Sequence, residues 1–114
     1  MIAVIFEVEP SPEGHATYLD QAARLRADLE KMDGFISVER FQSLHNAGKL
    51  LSLSFWRDEA SVRAWREHAG HRAAQAQGRA GVFAHYRLRV ASVLRDYGLA
   101  ERAEAPPCHP PVAP

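Results

Sequence analysis

The chain has 114 residues, 46% of them hydrophobic, and its 14 basic residues balance its 14 acidic residues to a net charge of zero. This length is enough for one compact domain and too short for two independent cores. The neutral charge argues against nucleic acid as a partner, because proteins that neutralise many phosphates usually carry a strong basic excess.

The first predicted element is a strand over residues 2–9, in which Ile2, Val4, Phe6 and Val8 alternate with the other side chains. The segment has no basic leader and reaches an acidic residue at position 7, so it is expected to be neither a signal peptide nor a membrane span. The single cysteine, Cys108, excludes an internal disulfide. Together these features predict a cytoplasmic protein without a membrane as partner.

An amphipathic helix and a hairpin follow. From Glu13 the apolar spacing becomes helical, and Asp33-Gly34 is a typical stop signal. The apolar stripe of this helix comprises Tyr18, Ala22, Leu25, Leu29 and Met32. Residues 35–43 then alternate as a strand, residues 46–49 form a turn, and residues 51–55 resume the strand pattern.

A second helix region is predicted to begin at Asp58, a good N-cap residue. It should be interrupted near Gly70 and resume toward Gly78, because glycine weakens a helix interior and suits a helix end. Phe83 to Asp96 then reads as a long strand. The resulting order is β-α-β-β-α-β, the ferredoxin-like arrangement of the α+β class.

Four strands and two helix regions leave one sheet face without a helical cover. Apolar side chains on that face would be exposed in a single copy, so the pattern predicts a homodimer that buries them. After Gly98 the composition changes, and residues 106–114 contain five prolines. The chain is therefore divided into a domain over residues 1–98 and a flexible tail over residues 99–114.

The most specific pattern lies between residues 55 and 98, where an aromatic strand end leads into a helix with a tryptophan and then two histidines. It comprises Phe55-Trp56-Arg57-Asp58-Glu59-Ala60, then Trp65-Arg66-Glu67-His68 and His71-Arg72. In this order of parts, residues 1–98 resemble the antibiotic-biosynthesis-monooxygenase (ABM) family. The resemblance implies a ferredoxin-like unit that pairs into a dimeric α+β barrel. It also implies a small-molecule site between the concave sheet face and the second helix region.

The residues that match the lining of that site are Trp56, Trp65, His68, His71 and Tyr86. The indole of Trp65 should point inward with Val62, either as a core side chain or as a flat wall for an aromatic ligand. Trp56, at the end of its strand, has the same two interpretations.

His68 and His71 are three residues apart and share a helix face if the helix is continuous. An imidazole there could accept a proton near neutral pH, or it could simply cap the helix or bond at the surface. The sequence nominates no third ligand for a zinc site, so no metal is predicted.

The second half of the chain is locally cationic, with eight arginines against three acidic residues over residues 57–95. Arg87 and Arg89 in the last strand are candidates to bind a carboxylate or phenolate group of a substrate. Their alternative role is that of ordinary solvated surface residues. Both interpretations stay open.

The ABM resemblance suggests two enzyme sub-classes. One oxidises anthrone-like compounds with molecular oxygen and no cofactor, using an aromatic wall, a base and groups that stabilise an enolate or phenolate. The other degrades heme with a histidine, a tryptophan and an asparagine. This chain keeps the tryptophan as Trp65, but Gln75 and Glu7 align with the histidine and the asparagine. Those two departures weaken the heme interpretation.

The motifs of nucleotide, phosphate and serine-hydrolase chemistry are absent from the sequence. The ABM resemblance implies a cofactor-independent monooxygenase-like enzyme that acts on a small aromatic or quinol-type substrate. His68 or His71 would be its base. The alternatives are a heme-binding or heme-degrading protein and a dimer that binds a ligand without turnover.

Overall fold

The computed structural model describes residues 1–68 and 81–107. In chain order its elements are β1 (Ile2–Pro10), α1 (His15–Glu30), β2 (Phe35–Gln42), β3 (Leu50–Trp56), α2 (Glu59–Glu67) and β4 (Phe83–Ser92). The strands form one sheet in the order β2-β3-β1-β4, and every neighbouring pair is antiparallel. This arrangement confirms the predicted α+β, ferredoxin-like fold.

The register of the sheet determines which side chains face the helices. Phe6 in β1 lies opposite Ser52 in β3 and Leu88 in β4, and Ser52 lies opposite Arg40 in β2. Side chains at paired positions point to the same side of a sheet. These four residues therefore belong to the face covered by α1 and α2, which we call the inner face. The opposite side is the outer face.

In the middle of strand β3 the inner-face residues are small and the outer-face residues are large. Ser52 and Ser54 point toward the helices, whereas Leu51, Leu53 and Phe55 point away from them. The outer three are only partly buried in the single chain. The strand therefore leaves space beneath the helices and apolar surface on the opposite side.

The buried core lies at the end of the sheet where α1 begins. Val8, Tyr18 and Leu50 are buried together, and Phe6 and Phe83 pack against them. Tyr18 belongs to the apolar stripe of α1, which confirms that this stripe faces the sheet. The core fixes the N-terminal half of α1 against β1, β3 and β4.

The predicted signals at the helix ends are mostly confirmed. The Asp58 carboxylate caps α2 by accepting a hydrogen bond from the Ser61 backbone N–H at 2.9 Å. Helix α1 begins at His15 rather than Glu13, with Gly14 at its N-cap, and it ends at Glu30. Gly34 has φ of +85°, which suits glycine in the turn that leads into β2.

Two predicted boundaries differ from the structure. The last strand ends at Ser92 rather than Asp96, because Ser92 pairs with Ile2 and the partner strand β1 begins there. Helix α2 ends at Glu67, since His68 has an extended backbone conformation. The predicted interruption near Gly70 and the resumption toward Gly78 lie outside the described residues.

The segment after β4 contains local turns. The Gly98 N–H donates to the Glu101 carbonyl at 2.8 Å, and the Arg102 guanidinium donates to the Gly98 carbonyl at 3.1 Å. The Arg102 guanidinium also lies 5.1 Å from the centre of the Tyr97 ring. The boundary at residue 98 stays a prediction, and Cys108 lies outside the described residues.

Within the described ranges, no helix has the length and apolar character that crossing a membrane requires.

Candidate functional site

A cavity of about 240 Å³ lies between the inner face of the sheet and both helices. It exists because Ser52, Ser54 and Ala22 are small where larger residues would otherwise fill the space between the layers. Its volume is slightly below the roughly 300 Å³ at which protein ligand pockets commonly begin. The cavity therefore suits a small molecule.

Four aromatic rings form one end of the cavity, and we call them the aromatic cluster. Phe6, Tyr18, Phe83 and Tyr86 contact one another in pairs with ring centres 5.7–6.4 Å apart. These tilted and edge-on contacts are the geometries that aromatic pairs prefer. Tyr86 is the most exposed of the four, at 48%. The structure thus places Tyr86 at the cavity, as the sequence predicted.

Trp56 lies at the opposite end of β3 and is fully enclosed, with 1% of its surface exposed. Its indole N–H donates to the Ser54 hydroxyl oxygen at 3.0 Å, and its ring meets the Phe35 ring edge-on at 5.4 Å. Trp56 borders the cavity, but its partners are those of a core residue. These surroundings fit the interpretation of Trp56 as a core side chain rather than as a wall for a ligand.

Trp65 lines the cavity from α2, together with Val62 and Arg66. Unlike Trp56, it is only partly buried. Its ring stacks on the His68 imidazole with centres 5.2 Å apart and planes at 22°. Trp65 therefore has the position of a ligand wall.

His68 is the residue at which α2 ends, and its backbone N–H donates to the Trp65 carbonyl at 3.0 Å. Within the described part of the chain, the residues that line the cavity include Trp65 but not His68. The extended backbone at His68 also removes the helical spacing argument for a pair with His71. His71 itself lies outside the described residues.

Arg87 and Arg89 do not line this cavity, contrary to the position that the sequence suggested. They pair with Glu7 and Ile5 in β1, so the alternation of β4 turns both toward the outer face. Arg89 forms an ion pair with Glu7 at 2.7 Å, and Lys49 approaches the same carboxylate at 3.3 Å. Hydrogen bonds from Arg89 and then Lys49 lower the pKa of Glu7 below its usual value. An anion partner in the cavity must come from another strand or helix.

Two other arginines reach the cavity, Arg40 from β2 and Arg66 from α2. The Arg40 Nε–H donates to the Tyr18 hydroxyl oxygen at 3.3 Å, and its guanidinium lies 5.8 Å from the centre of that ring. Neither residue was predicted from the sequence as part of the site. The available signal was the position of Arg40 on the same strand face as Val38, since a lone cation on an inward face is uncommon.

The described ranges contain no group of three or more histidine, cysteine, aspartate or glutamate residues placed to hold a metal ion. Glu7, which was expected at the asparagine position of the heme-degrading sub-class, faces the outer side of the sheet. Gln75, at the aligned histidine position, lies outside the described residues. The cavity therefore receives no polar group from Glu7.

Comparison with known proteins gives one family match and two curated relatives of interest. The family model for antibiotic biosynthesis monooxygenase, ABM, matches residues 1–77. The protein named jasmonate monooxygenase ABM from Pyricularia oryzae is 52% identical over 93 residues, which is 82% of this chain. This chain spans only 43% of that relative's length. The uncharacterized protein YqjZ of Bacillus subtilis is 32% identical over 94 residues, covering 82% of this chain and 80% of YqjZ.

Solved structures share the same fold at low sequence identity. A protein from Deinococcus radiodurans, described as an antibiotic biosynthesis monooxygenase, superposes with a TM-score of 0.76 at 12% identity, covering 87% of this chain and 98% of its own. Rv0793 from Mycobacterium tuberculosis superposes with a TM-score of 0.76 at 18% identity, covering 85% and 98%. At these identities the likeness concerns the fold alone.

Proposed function

The chain belongs to the antibiotic biosynthesis monooxygenase family, and on that basis we propose that it oxidises a small ring-bearing molecule in the cavity beneath its helices. The observation that carries this proposal is the cavity itself. An aromatic cluster and Trp65 provide flat apolar walls, and small serines provide room. Such a lining holds a planar or cyclic ligand and keeps water away from it.

We propose a mechanism that needs molecular oxygen and no resident cofactor. A base removes an acidic proton from the CH₂ group of an anthrone-like substrate, or from a phenolic hydroxyl of a quinol-type substrate, and the resulting carbanion or phenolate reduces O₂. Oxygenation of a quinol at a ring C–H by one O₂ gives a hydroxyquinone and one water. Conversion of CH₂ to C=O by one O₂ releases one water, so this reaction balances without an external reductant. An arginine at the cavity stabilises the enolate or phenolate that forms.

The candidate base is His68 or His71. The imidazole of His68 stacks on Trp65, so it is one side chain away from the cavity. A general base must come within hydrogen-bonding reach of the proton it removes, directly or through one water. A role for His68 therefore requires a water or a small rotation of the Trp65 ring. His71 is the alternative base.

A second substrate class is a cyclic ketone that carries a carboxylate, as jasmonate does. The jasmonate monooxygenase of Pyricularia oryzae shares 52% identity with this chain over 93 residues, and that likeness favours this class. Hydroxylation of an unactivated C–H bond by O₂ consumes two further electrons, which an external donor must supply. The need for a reductant therefore distinguishes the two classes.

We also propose that the protein acts as a homodimer through the outer face of the sheet. Ile5, Leu53 and Phe55 are partly exposed near its centre, and charged residues such as Glu39 and Arg89 lie around them. An apolar centre with a charged surround is a common arrangement for an interface between copies.

The direct test is oxygen uptake by the purified full chain. Anthrone, a naphthoquinol and jasmonate are supplied separately, with and without ascorbate, and products are identified by mass spectrometry. Uptake with anthrone or quinol and no reductant supports the first class, whereas reductant-dependent uptake with jasmonate supports the second. Absence of enzyme-dependent uptake with every compound contradicts the proposed activity. A saturable Soret band on adding hemin would support the heme-binding alternative.

His68→Ala and His71→Ala variants identify the base. The variant that lacks the base should lose roughly 100-fold or more in turnover, in line with the usual contribution of general base catalysis. Equal turnover in both variants and the parent protein would exclude both histidines.

A further inference from the structure

Arg40 is positioned differently from the arginines that have structural partners. It lies on the inner face of β2, opposite Ser52, and it is half-buried. Arg24, Arg26, Arg57 and Arg89 each form an ion pair with a carboxylate. Among residues 1–68 and 81–107, no carboxylate pairs with Arg40. Within the described part of the chain, this half-buried cation at the cavity wall therefore has no carboxylate to balance its charge.

The contact with Tyr18 fixes the orientation of this guanidinium. Nε donates to the Tyr18 hydroxyl, and Tyr18 is itself buried in the core with 6% of its surface exposed. The Nε–H is thereby used, while the described residues take no hydrogen bond from Nη1 or Nη2. Those two nitrogens carry N–H groups in the planar fork that matches the two oxygens of a carboxylate.

The sheet sets the distance between this cation and the apolar walls. Arg40, Ser52, Phe6 and Leu88 form one row across the inner face from β2 to β4. Three strand spacings of about 4.8 Å make this row about 14 Å long. A ligand with its charge at Arg40 would place an apolar ring over Ser52 and against Phe6, where the aromatic cluster begins.

From this geometry we propose that Arg40 binds the carboxylate of a small cyclic acid and so determines which substrates the cavity accepts. The proposal rests on the use of the cavity as the substrate site. Arginine has no acceptor atoms, so it favours an anion over the uncharged ester or alcohol of the same ring compound. Loss of a hydrogen-bonded charge partner usually weakens binding by roughly 10- to 100-fold.

The test compares acids with their methyl esters in binding to the full chain. Jasmonate and phenylacetate, each beside its methyl ester, are titrated by calorimetry into the parent protein and into Arg40→Met, Arg40→Lys and Arg66→Met. Arg24→Met is the matched control, because Arg24 lies on the exposed side of α1 with 77% of its side chain accessible. Circular dichroism and thermal unfolding establish that each variant is folded.

We expect the parent protein to bind at least one acid roughly tenfold or more tightly than its ester. Arg40→Met should remove this preference while leaving the affinity for the ester within about twofold, and Arg40→Lys should restore part of it, since lysine keeps the charge without the fork. Arg24→Met should behave like the parent protein. If Arg40→Met does not fold, Arg40→Lys and Arg66→Met still decide the assignment.

Three results would overturn the assignment. They are an unchanged preference for acids in Arg40→Met, a preference lost only in Arg66→Met, and a parent protein that binds neither acid more tightly than its ester. If acids bind through Arg40 but no compound is oxidised, the role of Arg40 stands and the proposed activity fails. If uncharged compounds are oxidised and acids are not preferred, the activity stands and the role of Arg40 fails.

Discussion

Asp58 makes more hydrogen bonds than its exposed position suggests. Its carboxylate accepts from the Ser61 hydroxyl at 2.7 Å, from the Ser61 N–H at 2.9 Å and from Arg57 Nε at 3.1 Å. These bonds, those from Ser61 first, lower the pKa of Asp58 from 3.8 to about 2. The start of α2, which carries Trp65, therefore depends on an ionised carboxylate.

This shift predicts how stability changes with acidity. Because the folded pKa lies below the unfolded value of about 3.9, the stabilisation by Asp58 is complete above that value and is lost as the pH falls toward 2. Asp58→Asn should keep much of the cap but flatten this part of the profile. Urea unfolding between pH 2 and 6 measures it. Parallel profiles for the two proteins would contradict the role of the charge.

The two tryptophans should respond differently to truncation. Trp56→Ala should lower the free energy of unfolding by roughly 3–5 kcal/mol, because it leaves a hole in a closed core. Trp65→Ala should cost clearly less and instead weaken ligand binding and turnover. Chemical denaturation and ligand titration on both variants provide the comparison, with Trp65→Phe as the conservative control. A loss of stability in Trp65→Ala equal to that in Trp56→Ala would make Trp65 a core residue.

The site could be predicted from the sequence only in part. The aromatic residues at the end of β3, on α2 and in β4 line one cavity, and alternation and helical spacing made their direction predictable. The orientation of the arginines was harder to predict, because the sheet face on which a β4 side chain lies depends on the register of β4 with β1. Arg87 and Arg89 pair with Glu7 and Ile5, so they face away from the cavity. Arg40 reaches it from β2, where alternation places it on one strand face with Val38, but alternation alone does not show that this face is the inner one.

At the scale of the elements, the turn between α1 and β2 is coupled to the start of α2. Gly34 accepts a hydrogen bond from the Arg57 N–H at 2.8 Å, and a Cβ atom on Gly34 would collide with the side chain of Ser61. The Arg57 guanidinium also binds both oxygens of Asp33, at 3.0 and 2.8 Å. These contacts hold the α1–β2 turn against the N-terminus of α2.

Substitution of this glycine should therefore be costly. Gly34→Ala requires a left-handed backbone for alanine, which costs roughly 1–2 kcal/mol before the collision with Ser61 is added. Gly48→Ala is the matched control, because its nearest neighbour would be the Asn46 side-chain oxygen at 3.5 Å. Urea denaturation should show a clear loss in the first variant and little change in the second. A loss of stability in Gly34→Ala as small as that in Gly48→Ala would mean that the turn tolerates a side chain.

The order and type of the elements could be predicted because each has a clear period and clear end signals. Asp58 and Gly34 are such signals. The ends that differ depend on tertiary partners: β4 stops at Ser92 because its ladder with β1 ends at the pair of Ile2 and Ser92. The period of β3 identified a strand, but it could not show that Ser52 and Ser54 rather than Leu51 and Leu53 face the helices.

At the scale of the whole molecule, the outer face predicts self-association. Leu53 lies at its centre, between Ile5 and Glu39. Leu53→Arg should convert a dimer to a monomer, since a long charged side chain in place of leucine disrupts the apolar centre of the interface. Leu44→Arg is the matched control, because Leu44 is 98% exposed in a loop. Sedimentation velocity should show a monomer for Leu53→Arg and a dimer for Leu44→Arg. A parent protein that sediments as a monomer would contradict the proposed assembly.

Ser52, at the floor of the cavity, leaves room for a ligand at the expense of thermal stability. Empty volume beneath the helices forgoes packing energy, and Ser52 is the inner-face residue that leaves it between Arg40 and Phe6. A change such as Ser52→Leu would fill that volume and raise the melting temperature while closing the site. Laboratory evolution toward heat resistance alone should therefore drift to larger residues at this position and yield stable proteins that no longer take up a ligand.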